Sequence, residues 1–449
     1  MTNTFLNGTS ATALSSGLTT DLELSQRLSP LQNSESQSTL GRSSTGSNVL
    51  IFVADGLRPG SVTAEDAPTL HAIRQQGVDF SNSHSLFPTF TTPNASAIAT
   101  GHYLGDTGDF SNTIYAGFPS TSANGNPTPF IENDPVLADL NARFKGNFDA
   151  GDPDTFSYYN FLNEETLLQL AREVGYSTAA VGKLGPTLIQ DVTQGNRGLD
   201  GKVPVPDTVI LDDSTFSAAG VPVSDAVLAA LKNAGLQTSA AISTLRVQPS
   251  GNNTTPGTLF ANVAQQQYFA DATTKAILPT FAAKGDPFAM VYWSRDPDGT
   301  QHNNGDSLNS LTPGINGLTS RAAVKNADNN LAQIIQGLKD QGLYDNTDIF
   351  ITADHGFSTI SKSVVDAQGT KVSDYASSLT YTGVNTGFLP AGFVAIDLAH
   401  DLGLSLFDPD QATKAADGTY SYKLLNPTQG QRPNNGNGFV SSRQHSQHS

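Results

Sequence analysis

Apolar residues along this chain fall into short unbroken runs separated by stretches with helical spacing. Val49–Val53 in NVLIFVADG, Pro287–Trp293 in PFAMVYW and the run DIFITADHG from Asp348 are each bounded by turn residues. Continuous apolar runs of this length predict strands covered on both faces, as in a parallel sheet. Tyr176–Val181, ending at Gly182-Lys183, predicts another strand, and Val78–Phe80 and Phe393–Ile396 two shorter ones. Between them lie helical patterns. One starts at Ala67-Pro68-Thr69, carries Leu70 and Ile73, and stops at Gly77; another, ETLLQLAREV, is capped by Asn163 and closed by Gly175. Ser224–Ala234, Thr258–Lys284 and Arg321–Leu338 are the other three. Strands alternating with helices predict an α/β domain.

Two regions escape the pattern. Residues 1–47 are rich in Ser, Thr, Asn and Leu without sustained period and predict a disordered leader, so the folded domain is expected over 48–449. From about 113 to 286 the chain is Pro-, Gly- and Asn-rich in long stretches, and Gln190–Gly257 in particular predicts an insertion or cap on the core.

Composition narrows the function classes. With 449 residues there is ample chain for one large core. A net charge of −17 argues against binding to a nucleic-acid duplex or an anionic membrane, which need Lys/Arg footprints. No apolar run reaches the roughly 20 residues of a membrane span, and the N-terminus lacks a signal-peptide pattern. Abundant Asn, Thr and Gly resemble the usage of secreted or periplasmic bacterial proteins, which leaves the compartment undetermined. No cysteine is present, which removes disulfides, thiolate–zinc sites and cysteine nucleophiles.

The candidate chemistry lies at strand ends. Asp55 follows VLIFVA; Asp298 and His302 follow AMVYW by the short loop SRDPDGTQH; Asp354 and His355 follow DIFITA. Parallel strands put these ends on one edge of a sheet, where open α/β sheets hold their ligands. Carboxylates with imidazoles suit zinc and similar divalent ions. The stretch FPTFTTPNASAIATGHY supplies a hydroxyl. Thr91 and Thr92 precede Pro93, which suits a first helical turn, and a helix start favours an incoming anion.

Taken together, these residues resemble the nucleotide pyrophosphatase/phosphodiesterase (type I phosphodiesterase) branch of the alkaline phosphatase superfamily. The resemblance runs from Val49 to about Ile360 through ADG at Asp55, APTLHAIRQQGV, TTPNASAIATGHY at Thr91, GDFSNTIY at Asn112, PDGTQHNNG at Asp298 and ADHG at Asp354. Spacings of 36 residues (55 to 91) and 21 residues (91 to 112) also suit that branch. The resemblance implies an alkaline-phosphatase-like three-layer α/β sandwich, mostly parallel, with helices on both faces and a loop-rich insertion. It further implies a small phosphate ester as substrate and two divalent metal ions, zinc foremost, as cofactors. Asp55, Asp354 and His355 would hold one ion with the Thr91 oxygen, and Asp298 and His302 the other with a further histidine. Thr91 would be the nucleophile, passing through a phosphothreonine, and Asn112 would donate to a nonbridging phosphate oxygen.

Some choices stay open at this level. Gln301 stands before His302 where the family usually has glycine, so Asp296 is an alternative to Asp298, as Thr92 is to Thr91. Lys183 is expected as a surface lysine at a strand end. A sulfatase reading would need Cys or Ser at position 91 and arginine at 95, where Thr91 and Ala95 stand. Phosphomonoesterase, phosphonate hydrolase and inactive metal-binding domain are the competing readings. The last histidine ligand has poor candidates: His400 sits in a helical pattern, and His445 and His448 in a polar tail. The expectation is therefore a catalytic domain incomplete at its C-terminus, with a weak second metal site.

Overall fold

The computed structural model describes residues 46–114, 129–133, 161–195, 205–246, 257–306, 313–358, 363–365, 367–368, 371–374, 393–416, 420–426 and 439–440. Its centre is a five-stranded sheet of β1 (Asn48–Ala54), β2 (Ser177–Gly182), β3 (Val209–Asp212), β4 (Phe288–Ser294) and β5 (Thr347–Thr352), in the order β3-β2-β4-β1-β5. Every pairing is parallel: Ala54 lies beside Ser294, Val53 beside Thr352, and Gly182 beside Trp293. All the carboxyl ends therefore share one edge.

The apolar runs still obey a period of two, because each face has its own core. Leu50, Phe52 and Ala54 join Phe288, Met290 and Tyr292 in one cluster; Val53 joins Ala289, Val291 and Trp293 in the other. Phe52 and Tyr292, neighbours in register, stack with ring centroids 5.3 Å apart.

Ten helices of the described residues carry labels, in chain order: α1 (Pro68–Gln76), α2 (Thr91–Thr100), α3 (Leu167–Glu173), α4 (Leu184–Ile189), α5 (Asp225–Asn233), α6 (Val263–Ala272), α7 (Leu278–Lys284), α8 (Asp298–Gln301), α9 (Leu318–Asp340) and α10 (Phe393–Leu402); a further single helical turn, Leu104–Thr107, follows α2. Helices α1, α5, α6, α7 and α9 bury Leu70, Val227, Leu231, Phe269, Leu278, Val324, Leu331 and Ile334 in the first cluster. Helices α2, α3 and α4 bury Ala95, Ala99, Leu168, Leu188 and Ile189 in the second. This is the expected sandwich of helices, parallel sheet and helices. A π-turn at Thr273–Ile277 joins α6 to α7 just before Pro279, where a regular helix would meet a residue with no N–H to donate. No helix among the described residues is long and apolar enough to cross a membrane.

Several expectations need correction. Val78–Phe80 forms no strand; Val78 and Phe80 are exposed, with no sheet partner to reward extension. Phe393–Ile396 opens a helix instead. Ile396 and Ala399, three residues apart, pack with Leu406 while Val394 and Leu398 stay exposed, a spacing that four apolar residues in a row conceal. Helix α3 is capped by Thr166, whose hydroxyl accepts from Gln169 N, rather than by Asn163. The stretch expected as an insertion supplies β3, an edge strand of the main sheet. Strands β8 (Leu406–Lys414), β9 (Tyr420–Leu424) and β10 (Phe439–Val440) make a small antiparallel sheet, and β6 (Ser363–Val365) pairs with β7 (Lys371–Asp374). The expected leader lies outside the described residues except for Gly46 and Ser47, as do His445 and His448.

Candidate active site

Four of the parallel strands deliver a charged residue to the shared edge: Asp55 after β1, Lys183 after β2, Asp298 beyond β4 and Asp354 beyond β5. Backbone contacts lock them together. Asp298 N donates to Asp55 O at 2.9 Å, and Gly56 N donates to Asp354 Oδ1 at 3.1 Å. Gly56 has φ +69°, and a Cβ on it would lie 3.0 Å from Asp298 Cβ, so a larger residue would push the two loops apart.

One cluster of ligand atoms stands out. Asp55, Asp354 and His355 each offer an atom within 4.8 Å of the others. Asp354 Oδ1 is occupied by the N–H groups of Gly56 and His355, leaving Oδ2 buried without a hydrogen bond. Asp55 Oδ2 accepts from Lys183 Nζ at 2.8 Å and Trp293 Nε1 at 2.9 Å, leaving Oδ1 likewise. His355 Nδ1 lies 2.6 Å from the Gly356 carbonyl, which can only accept, so Nδ1 carries a proton and Nε2 is the nitrogen left to offer a lone pair inward. That nitrogen lies 3.6 Å from Asp55 Oδ1 and 3.4 Å from Asp354 Oδ2. Two orphaned carboxylate oxygens and an imidazole lone pair around one point fit a divalent cation.

The electrostatics agree. Burial, with Asp354 adding to it, pushes Asp55 well above the ordinary carboxylate range, and burial also pushes Asp354 up. A divalent cation between the two carboxylates would relieve that repulsion. Burial would raise Asp298 too, but Lys183 and His302 outweigh it and hold that carboxyl well below the usual range. Asp298 in turn raises the His302 imidazole.

Thr91 opens α2, whose small residues let it pack closely: Thr91 through Ser96 are all buried. Its Oγ1 is 3.1 Å from His355 Nε2, so the hydroxyl faces the cluster. Thr92 faces away; its Oγ1 donates to Ser111 O, and its N–H donates to Asn112 Oδ1 at 2.8 Å. Asn112 thus caps α2, while its Nδ2 donates to Glu132 Oε2 at 2.5 Å. Asp298 Oδ1 is 3.2 Å from His302 Nε2, and the His302 ring meets Phe357 edge-on. Asp296, the alternative to Asp298, is fully engaged with Asn262 N, Asn326 Nδ2 and Thr300 Oγ1 and serves the loop. Among the described residues, Asp298 and His302 gain no third ligand; His400 pairs with Asp401 on α10.

Lys183 is not on the surface, as the sequence suggested, but fully buried. Its Nζ meets Asp55 Oδ2, Asp298 Oδ2 at 3.1 Å and Glu132 Oε1 at 2.5 Å. Burial alone would lower its pKa, but the three carboxylates raise it well above the usual lysine value. Behind it, Asp213 accepts from Leu184 N and pairs with buried Arg295. Sequence reasoning missed Glu132 because it lies in an aperiodic stretch. Lys183 did carry a signal, being the first polar residue after an apolar strand.

A family model for type I phosphodiesterase / nucleotide pyrophosphatase matches residues 49–400. The chain belongs to the type I phosphodiesterase / nucleotide pyrophosphatase family. Similar solved structures include murine ectonucleotide pyrophosphatase/phosphodiesterase 5, in an inactive form in complex with AMP. It is 17% identical over 72% of this chain and 60% of that one, with a TM-score of 0.41. A putative sulfatase from Bacteroides fragilis is 15% identical over 72% and 64%, with a TM-score of 0.36. A sulfatase from Pseudoalteromonas sp. is 16% identical over 69% and 55%, with a TM-score of 0.35. This chain therefore spans between 55% and 64% of the length of these structures, and at such TM-scores the likenesses assign no role to any residue. No curated protein matches the chain.

Proposed function

We propose that this protein is a metal-dependent hydrolase of small phosphoric diesters, of the phosphodiesterase and nucleotide pyrophosphatase kind, with Thr91 as nucleophile. The observation that carries this reading is the Thr91 hydroxyl, 3.1 Å from His355 Nε2 and aimed into the Asp55–Asp354–His355 cluster. Those three residues would hold one divalent ion with Thr91, and Asp298 and His302 a second; the mixed nitrogen and oxygen donors favour zinc. Ions bound there supply positive charge that lowers the pKa of the hydroxyl and offsets charge on the phosphoryl oxygens.

The protein's own groups do the rest. Thr91 Oγ1 gives up its proton and attacks phosphorus in line with the departing alkoxide or phosphate. The P–O bond to that group breaks, the group takes up a proton, and Thr91 becomes a phosphothreonine that keeps the other ester substituent. Water then displaces Thr91 and releases the phosphate monoester. Helix α2 presents its N-terminus to the anion. Asn112 spends one amide hydrogen on Glu132. The other is the one that would meet an equatorial phosphoryl oxygen, where charge grows in the transition state.

A chromogenic phosphodiester assayed beside its monoester tests the proposal. Faster diester turnover, lost on chelation and restored by zinc, is expected. Zinc-independent turnover, or none of either ester, contradicts it.

A further inference from the structure

Asp55 and Asp298 each divide their two oxygens between two partners. One oxygen of each faces a histidine: Asp55 Oδ1 toward His355 and Asp298 Oδ1 toward His302. The other oxygen of each accepts from the same Lys183 ammonium. The third carboxylate on that ammonium, Glu132, leads elsewhere. Its Oε2 accepts from Asn112 Nδ2, and Asn112 Oδ1 accepts from Thr92 N in the first turn of α2. One buried cation therefore backs a carboxylate of each candidate ion position and reaches the helix of the nucleophile through two more side chains.

We infer that Lys183 is the positioning residue of this site, a built-in cation that sets the ion-facing oxygens of Asp55 and Asp298 and ties them to the Thr91 helix through Glu132 and Asn112. The inference rests on the proposed metal reading. Lys183 itself touches neither substrate nor ion. It acts through carboxylates, and supporting partners of this kind are worth about 10–100-fold in metal affinity. The three oxygens around Nζ form an all-oxygen cage. Removing the ammonium while keeping the side-chain volume, as in Lys183→Met, leaves three carboxylates facing one point. Such a point suits a hard cation like magnesium, which prefers oxygen ligands.

Zinc titration of metal-stripped protein in a chelator competition, with and without millimolar magnesium, tests this. The unaltered chain should bind zinc with the same affinity in both buffers; if it binds none, the metal reading fails and not the positioning role alone. Lys183→Met should bind zinc about 10–100-fold more weakly. Magnesium should restore the affinity, with magnesium taken up by the variant and not by the parent. Equal zinc affinity in the two proteins overturns the inference, as does a loss that magnesium leaves unchanged. Should Lys183→Met fail to fold, Glu132→Gln decides. Lys183 then still pairs with Asp55 and Asp298, but the new amide keeps one accepting oxygen where the carboxylate offered two, so it cannot hold Lys183 and Asn112 as Glu132 does. Zinc affinity should stay at the parental value while kcat falls by up to about a hundredfold with KM unchanged. Full kcat in that variant overturns the link to the nucleophile's helix.

Discussion

Gly182→Ala should be among the most damaging single-methyl additions to this protein. Gly182 closes β2 and delivers Lys183, with φ +133°, a conformation that L side chains rarely adopt. A Cβ there would overlap Trp293 O and lie 2.7 Å from Trp293 C. Both are backbone atoms of β4, a strand held between β1 and β2 and therefore unable to give way cheaply. The unfavourable backbone costs about 1–3 kcal/mol and the overpacking about 1–3 kcal/mol, so about 2–6 kcal/mol together. Against a total stability of roughly 5–15 kcal/mol, that is a large fraction. Trp293, the single tryptophan, sits at the clash and donates to Asp55, so its fluorescence reports directly on the perturbed place. Urea unfolding followed at that tryptophan should show a markedly lower midpoint, and zinc affinity should fall because Lys183 is displaced. A stability change within about 0.5 kcal/mol, the range of an ordinary surface substitution, would refute the close approach of the two strands.

Asn112→Ala should lower kcat by about 10²–10³-fold, equivalent to about 2.7–4 kcal/mol, if its free amide hydrogen meets the phosphoryl oxygen; steady-state kinetics on the chromogenic diester would read it. The same variant uncaps α2 at Thr92 N and should lose about 1 kcal/mol of stability in denaturant titration. Asp109 is buried, accepts from Ser96 Oγ at 2.7 Å and is pushed up to about 6 by burial. A carboxyl raised in the folded state stabilises fully below its unfolded pKa near 3.8, and that contribution is lost as pH rises through about 6. Asp109→Asn should therefore gain up to about 3 kcal/mol above that pH and little near pH 4, which thermal melts across the range would show.

What could be read from the sequence follows from which signals are local. Val49–Val53 and Pro287–Trp293 announce buried strands because a parallel sheet covered on both faces leaves no polar position in the run. Asp55, Asp298 and Asp354 could be placed together because parallel strand ends share an edge whatever the strand order. The shorter runs misled: four apolar residues at Phe393–Ile396 fit a strand or a helix equally, and only packing under Leu406 decides. Lys183 reads as a surface residue because burial of a lysine depends on partners, and one of those, Glu132, lies 51 residues earlier (132 to 183) in a stretch with no period at all. The strand β3 was hidden for a related reason, since Val209–Asp212 is too short to stand out among its polar neighbours.

The most direct test of Thr91 as nucleophile is to trap the covalent intermediate. Zinc-loaded protein would be mixed with excess phosphodiester, quenched in acid within the first turnovers, digested and sequenced by mass spectrometry. A phosphoryl group, carrying the retained ester substituent, should be found on Thr91 and be absent from Thr91→Ala, which should have almost no turnover. Phosphorylation of Thr92 instead, or full turnover in Thr91→Ala, would contradict the account.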